Sequence, residues 1–175
     1  TIDRSGCPDS DCDGYSNPDA GWTIANGADA FVTEPTQWAD QDGDGYGDNP
    51  AGFASDACPV SPGTSILDRF GCGDGDGDGF SDPDGGWPIS SGADSCPTVS
   101  GTSSQDRSGC PDDDSDGYSD PDPAGVNGPS WDVGDGADAF IGNSTQWIDG
   151  DSDSFGDNSS GCLLYTSDAA DEIAS

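Results

Sequence analysis

The fold of this chain is decided by a stretch that recurs along it, GCGDGDGDGFSDPD at residues 71–84. Its first three aspartates alternate with glycines, so a tight turn can direct three carboxylates to one point. An aromatic residue and a further aspartate follow at positions 7 and 9, which is the ligand order of acidic calcium-binding loops. The stretch therefore predicts a calcium loop whose ligands are Asp74, Asp76, Asp78, the backbone carbonyl of Phe80, and Asp82.

The same spacing occurs at four further places, and we number the five copies loops 1 to 5 in chain order. A solvated acidic linker has no reason to keep Asp at positions 1, 3 and 5, an aromatic at 7 and Asp or Asn at 9. Loop 5 has Ser154 where the others have glycine, so we expect a strained turn or a lower affinity there. The ligands predicted for the other loops are Asp9, Asp11, Asp13, Tyr15 and Asn17 in loop 1; Asp40, Asp42, Asp44, Tyr46 and Asp48 in loop 2; Asp112, Asp114, Asp116, Tyr118 and Asp120 in loop 4; and Asp149, Asp151, Asp153, Phe155 and Asp157 in loop 5.

The composition is too polar for an ordinary apolar core. Leu, Ile, Val and Phe together number 21 of 175 residues, and the formal net charge is -33. A chain of this kind is disordered unless metal ions or disulfides hold it. Five calcium ions would add a charge of +10 and leave about -23, so the loaded protein would still repel nucleic acids and anionic membrane surfaces. Basic partners remain compatible with this charge.

The cysteines and the calcium loops together indicate an extracellular protein. The chain has seven cysteines and no methionine, and no run of residues is long and apolar enough to cross a membrane. Disulfides and calcium loops both suit an oxidising, calcium-rich exterior. Because the sequence starts within a motif, we expect a fragment or a processed piece.

A second motif, Asp-Arg-x-Gly-Cys, divides the chain into repeat units. It ends at Cys7, Cys72 and Cys110 and contains all three arginines of the chain. We predict a long unit with two loops at 1–65, a short unit with one loop at 66–103 and a truncated long unit with two loops at 104–161. The expected fold is mostly irregular: an elongated array of calcium-stabilised loop repeats with short strands or turns and little regular secondary structure.

At this point the chain resembles the thrombospondin type 3 repeat family, whose pattern is Asp-x-Asp-x-Asp-Gly-x-x-Asp-x-x-Asp-x-Cys-Pro. The likeness covers nearly everything from Asp3 to Gly161. It implies a closing aspartate for four loops, but here that residue comes 8 to 18 positions after position 9 instead of three. A nearer carboxylate, such as Asp19, Asp84 or Asp122, is the alternative. The closing residues implied by the resemblance are Asp29, Asp56, Asp94 and Asp138.

Matching contexts pair four of the cysteines. Cys58 and Cys72, and likewise Cys96 and Cys110, are separated by 14 positions within the same Cys-Pro-x-x-x-Gly-Thr-Ser-x-x-Asp-Arg-x-Gly-Cys pattern. Each pair predicts a disulfide, which in the chain-entropy model contributes about 3 kcal/mol. We expect Cys7 to pair with Cys12, with two free thiols as the alternative.

The tryptophans and the end of the chain carry weaker signals. In a chain so poor in aliphatic residues, tryptophan is expected to form local core, and sugar stacking is the alternative. Sequons begin at Asn143 and Asn158, so glycans are candidate partners. After Gly161 the repeat breaks off, and residues 162–175 resemble a translated sequencing adapter, so we expect a non-native tail there, with a genuine C-terminal helix as the alternative.

The sequence favours a structural role over catalysis. It lacks His and Lys, and its carboxylates are accounted for by the loops, so we expect no enzyme. A calcium sensor needs helices beside its loops, and here Gly and Pro interrupt every flank. We expect an extracellular stalk, spacer or fibre component, bound to calcium and to copies of itself. The alternative is a calcium-dependent adhesion module that binds carbohydrate or protein.

Overall fold

The computed structural model describes residues 2–122 and 129–158. The predicted tail at 162–175 lies outside these residues. The chain forms two compact units, Thr1–Ser81 and Asp82–Ser175. The first holds loops 1 and 2 and the aspartate triplet of loop 3, and the second holds loops 4 and 5. The three repeat units predicted from the sequence do not correspond one to one to these two units and stay a prediction.

Regular secondary structure is almost absent, as the sequence predicts. Within the described residues the helical elements are two 3₁₀ turns, Ile24–Asn26 and Ile89–Ser91, and no α-helix or β-strand is present. Each turn ends at a glycine in the left-handed region, Gly27 at φ 101° and Gly92 at φ 108°. Three isolated bridges, Asp19 to Trp22, Gly47 to Ser55 and Asp122 to Trp131, complete the backbone pairing. No helix of this described part has the length and apolarity that a membrane crossing requires.

The buried side chains are small or polar. The buried apolar residues are alanines and cysteines, whereas the largest fully buried side chains are Gln37, Asp29, Asp94 and Asp138. Large apolar side chains such as Phe53 and Leu67 stay exposed. Hydrophobic burial therefore contributes little to this fold, and carboxylates occupy the places that aliphatic side chains fill in ordinary domains.

Two disulfides close the connections between loops. Cys58 bonds to Cys72 and Cys96 bonds to Cys110, in agreement with the matching contexts in the sequence. Inside the first connection, Gly63 lies so close to the backbone of Cys72 that a Cβ would come within 2.0 Å of it, so only glycine fits.

The predicted Cys7–Cys12 disulfide is wrong, because both cysteines are free thiols in the structure. Cys12 lies at position 4 of loop 1 with a φ of 67°, and its N–H group donates a hydrogen bond to the Asp9 carboxylate. The turn thus holds this residue in the loop and leaves its side chain exposed.

The tryptophans pack locally but are not the most buried residues. Tyr15 stacks on Trp38 with ring centroids 5.0 Å apart, and Tyr118 stacks on Trp147 at 4.8 Å. In both pairs an aromatic residue at position 7 of one loop contacts the tryptophan before the next loop. The stacks hold consecutive loops of a unit together.

Candidate metal centres

Each loop is built from hydrogen bonds between its own carboxylates and its backbone. In loop 2, Asp40 accepts the N–H groups of Gly43 at 2.6 Å and Gly45 at 3.1 Å. Asp42 accepts the N–H of Asp44, and Asp44 accepts the N–H of Tyr46. Loops 1, 3 and 4 repeat this pattern, and in loop 5 Asp149 accepts the N–H groups of Asp153 and Ser154. The aspartates at positions 1, 3 and 5 therefore fold the turn that brings them together.

The turn needs two left-handed residues. Position 6 is glycine in loops 1 to 4, with φ between 96° and 101°, and Ser154 takes φ 71° in loop 5. Position 4 is also left-handed in all five loops, although it is occupied by Cys12, Ser115 and Ser152 in three of them. The expected strain at Ser154 thus has its geometric basis, since non-glycine residues rarely adopt this conformation.

The triplets bring like charges together. In all five loops the carboxylate oxygens at positions 1, 3 and 5 lie within 4.8 Å of one another, so each triplet could hold a metal ion. The groups are Asp9, Asp11 and Asp13; Asp40, Asp42 and Asp44; Asp74, Asp76 and Asp78; Asp112, Asp114 and Asp116; and Asp149, Asp151 and Asp153. A cation between the three charges would remove their repulsion.

The most informative feature is a set of buried carboxylate oxygens that accept no hydrogen bond. In loop 2 one oxygen each of Asp42, Asp48 and Asp56 is buried and without a donor. Loops 1 and 4 have the same feature, in oxygens of Asp11, Asp13, Asp29, Asp114, Asp116, Asp120 and Asp138. Buried polar atoms are normally paired, so these repeated exceptions are places where a cation could be held.

The closing aspartates are held beside their loops despite the inserted segments. The N–H groups of Asp29, Asp56 and Asp138 donate to the backbone carbonyl at position 8 of their loops, at 2.8 to 3.0 Å. One oxygen of each closing carboxylate accepts a backbone N–H two residues later, and the other is buried without a donor. This geometry favours the closing aspartates as ligands, and their metal contact stays a prediction.

The electrostatics of the closing aspartates agrees with this position. Burial raises the pKa of Asp29, Asp56 and Asp138 from 3.8 to about 6. The charges of the triplet carboxylates add to this rise, with Asp13 first among them for Asp29 and Asp44 first for Asp56. Each closing carboxyl therefore lies in the field of its own triplet.

Two of the alternative ligands have other partners. Asp19 accepts a hydrogen bond from Arg4 at 2.8 Å, and this contact holds the pKa of Asp19 below its usual range. Asp122 lies 3.8 Å from the guanidinium of Arg107. Asp84 accepts the N–H groups of Gly86 and Trp87 within the second unit. The positions of Asp19 and Asp122 favour a role beside the arginines over one at the metal.

The five loops are not equivalent. In loop 1, position 9 is Asn17, which is neutral and exchanges hydrogen bonds with Ser10. In loop 5, Asp151 and Asp153 are exposed, whereas the triplets of loops 1 to 4 are half-buried. In loop 3 the triplet lies in the first unit, and Asp82 and Asp94 lie in the second. The ligand sets of loops 2 and 4 are thus the most complete within one unit.

Sequence reasoning missed two buried glutamines. Gln37 accepts the N–H of Asn49 at 2.9 Å and donates to the carbonyls of Asn49 and Phe53. Gln146 makes the equivalent bonds to Asn158. Both belong to a Thr-Gln-Trp tripeptide that occurs before loop 2 and again before loop 5. The repetition of the whole tripeptide was the available signal.

Comparison with known proteins assigns no family. No protein-family model matches the chain, and no curated protein matches it. The donor set itself is informative, because carboxylate and carbonyl oxygens suit hard divalent cations such as Ca²⁺, Mg²⁺ and Mn²⁺. The buried bare oxygens therefore fit a hard cation well.

Proposed function

We propose that the chain binds about five calcium ions and is a calcium-stabilised structural segment of an extracellular protein. The observation that carries this proposal is the set of buried carboxylate oxygens without donors in loops 1, 2 and 4. Water and protein donors normally satisfy such groups, and a cation satisfies several at once.

Calcium fits these loops better than magnesium. Loop 2 offers the side chains of Asp40, Asp42, Asp44, Asp48 and Asp56 and the backbone carbonyl of Tyr46. Six protein oxygens in an irregular loop suit Ca²⁺, whereas Mg²⁺ demands octahedral geometry and usually keeps several of its waters.

A structural role follows from what the ion would hold. The buried side chains of the described residues are mostly carboxylates, amides, serines and disulfides. Without an aliphatic core, metal-binding free energy becomes folding free energy. The likeness of the loops to thrombospondin type 3 repeats supports the same role, and the two disulfides suit an extracellular location. We propose that the segment is not an enzyme and serves as a stalk, spacer or fibre component.

Calcium titration tests the proposal. Isothermal titration of metal-free protein should show about five calcium ions bound per chain and much weaker binding of Mg²⁺. Small-angle scattering of the loaded protein tests the stalk role, since a compact globule of this length has a radius of gyration of about 16 Å. A stoichiometry near zero would refute the metal sites, and a compact globule would refute the stalk.

Adhesion is the second candidate, and one cleft favours it. A cavity of about 260 Å³ beside loop 2 is lined by Tyr15, Ile24, Trp38 and Gln41. Aromatic rings next to carboxylates and amides are typical of carbohydrate sites. Neutral oligosaccharides should then bind only in calcium and lose affinity in a Trp38→Ala variant. Equal retention by both proteins would exclude this cleft.

A further inference from the structure

The inserted segments separate each closing aspartate from its loop by different lengths of chain. Position 9 and the closing aspartate are 8 positions apart in loop 2, 12 in loop 1 and 18 in loop 4. A longer free connection would deliver its carboxylate less often, because loop-closure entropy grows with length. Yet the closing aspartate occupies the same place in all three loops.

A pair of backbone hydrogen bonds shortens the connections of loops 1 and 4. Asp19 and Trp22 exchange N–H to carbonyl bonds at 2.8 and 3.2 Å, and Asp122 and Trp131 do so at 2.8 and 3.0 Å. We call each pair the neck of its insert. In both loops the neck begins two positions after position 9 and ends seven positions before the closing aspartate. The parts of the connection before and after the neck therefore have the same length in both loops, although the whole connections differ.

One arginine contacts both sides of each neck. The guanidinium of Arg4 lies 5.4 Å from the ring centroid of Trp22 and donates to Asp19 at 2.8 Å. Arg107 lies 5.3 Å from the ring centroid of Trp131 and 3.8 Å from the carboxylate of Asp122. A planar cation can stack on the indole and pair with the carboxylate at once.

The neck is connected to the closing aspartate by close packing. A Cβ at Gly27 would lie 3.5 Å from the ring of Trp22, and Gly136 has the same relation to Trp131. The buried closing aspartate follows two residues after each of these glycines. Movement of the tryptophan would therefore displace the segment that carries the ligand.

The distribution of arginine matches this role. Each of the three arginines lies five positions before a loop whose insert contains the Asp and Trp of a neck. Loop 2 has a short connection, and no arginine stands at the equivalent position. Arg107 is itself fixed, because it lies inside the Cys96–Cys110 disulfide loop and its side chain is only 13% exposed.

We propose that Arg4 and Arg107 are positioning residues that pin the necks and so deliver Asp29 and Asp138 to the metal sites of loops 1 and 4. This inference rests on the proposed calcium function. The guanidinium contacts the neck, and the neck in turn positions the closing carboxylate. The arginine therefore does not need to contact the triplet.

Calcium titrations followed by NMR test this loop by loop in the full chain. The amide signals of Gly117 in loop 4 and Gly45 in loop 2 report the two sites separately. Arg107→Ala should weaken calcium binding at Gly117 about tenfold, the combined size of a modest cation–π contact and a weak ion pair, and leave Gly45 unchanged. Arg4→Ala should weaken loop 1 less, because its ion pair is more exposed.

A double-mutant cycle separates positioning from general stability. In an Asp138→Asn background, Arg107→Ala should cause no further loss at Gly117, and the loop 5 signal of Ser154 should not change. An undiminished loss in that background, an equal change at Ser154, or no loss in Arg107→Ala would overturn the inference. If the unchanged protein shows no calcium response at either glycine, the calcium function itself fails.

Discussion

Loops 1 and 2 fold the same aspartate turn on two different supports. In loop 1, Asp3 from the Asp-Arg-x-Gly-Cys motif accepts the N–H and hydroxyl of Ser16 at position 8. In loop 2, position 8 is Gly47, and the side chain of Gln37 occupies the space where a Cβ would stand. We call loops 1, 3 and 4 Asp-type, because an aspartate accepts the hydroxyl at position 8, and we call loops 2 and 5 Gln-type.

The difference teaches that the turn is formed by groups inside the loop, whereas its position 8 is supported by groups outside it. The aspartates at positions 1, 3 and 5 accept the same backbone hydrogen bonds in loop 1 and in loop 2. Position 8 instead follows the support, with serine where a carboxylate accepts its hydroxyl and glycine where an amide fills the space. One binding turn can thus be joined to a long insert or to a short connection.

Metal removal should have the largest effect and should not distinguish the two types. Both bury carboxylates that repel one another, and neither has an apolar core. In excess chelator, hydrogen exchange should become fast at the amides of Gly14 and Gly45 alike, with loss of protease resistance. Retained protection at Gly45 alone would show that Gln37 suffices to fold a Gln-type loop.

Acidification should act in opposite directions on the metal-free and the loaded protein. Burial and neighbouring charges raise the pKa of Asp29, Asp56 and Asp138 to about 6 in the metal-free fold. That fold then binds more protons than the unfolded chain between about pH 4 and pH 6, so its stability rises as the pH falls through this window. Protons compete with calcium in the same window, so the loaded protein should lose stability.

Tryptophan fluorescence measures both effects, as the folded fraction of metal-free protein between pH 6 and pH 4 and as denaturant unfolding of the loaded protein. Metal-free protein should be prepared by dialysis, because chelators also titrate in this range. A metal-free fold that loses stability from pH 6 to pH 4 would contradict the raised pKa values. The closing aspartates of both loop types take part, so the effect should appear in each.

Substitution at position 8 should separate the types. In Gly47→Ala, the new Cβ would stand 2.2 Å from the Gln37 side chain, which is 1% exposed and held by three hydrogen bonds. We expect a loss of about 3 kcal/mol in the free energy of unfolding. Ser119→Ala in loop 4 removes one hydrogen bond to a carboxylate and should cost about 1.5 to 2 kcal/mol.

The matched exchanges check the reason for this difference. Ser119→Gly should resemble Ser119→Ala, because the hydroxyl is what matters there. In a Gln37→Ala background, Gly47→Ala should cost much less than in the unchanged protein, since the space is then open. Equal costs for Gly47→Ala and Ser119→Ala, measured at one fixed calcium concentration, would show that the two supports are not distinct.

Local spacing predicted the parts of the site that depend on local geometry. The triplets and the two disulfides follow from fixed intervals, and the scarcity of Leu, Ile, Val and Phe predicted the irregular fold. The role of Gln37 could not be predicted, because its hydrogen-bond partners lie 12 and 16 positions away in the sequence. The left-handed conformation at position 4 could not be predicted, because Cys12, Ser115 and Ser152 adopt it in three loops, whereas glycine is its usual sequence signal. The Cys7–Cys12 pairing failed for the same reason, since Cys12 belongs to the turn.

The smallest expected effect concerns Ser154, which tests whether loop 5 differs from loop 2 in its backbone or only in its surroundings. Ser154 adopts φ 71°, whereas Gly45 holds the same position in loop 2 at φ 96°. Replacing Ser154 with glycine should relieve about 1 to 2 kcal/mol of left-handed strain, and the greater freedom of glycine in the unfolded chain offsets about half of that. We therefore expect calcium affinity at loop 5 to rise about two- to fivefold, measured through the amide signal of residue 154. Gly45→Ser is the matched control and should lower the affinity of loop 2 by a similar factor. If Gly45→Ser weakens loop 2 while Ser154→Gly leaves loop 5 unchanged, exposure of Asp151 and Asp153 sets its affinity, and the two Gln-type loops share a backbone but not a site.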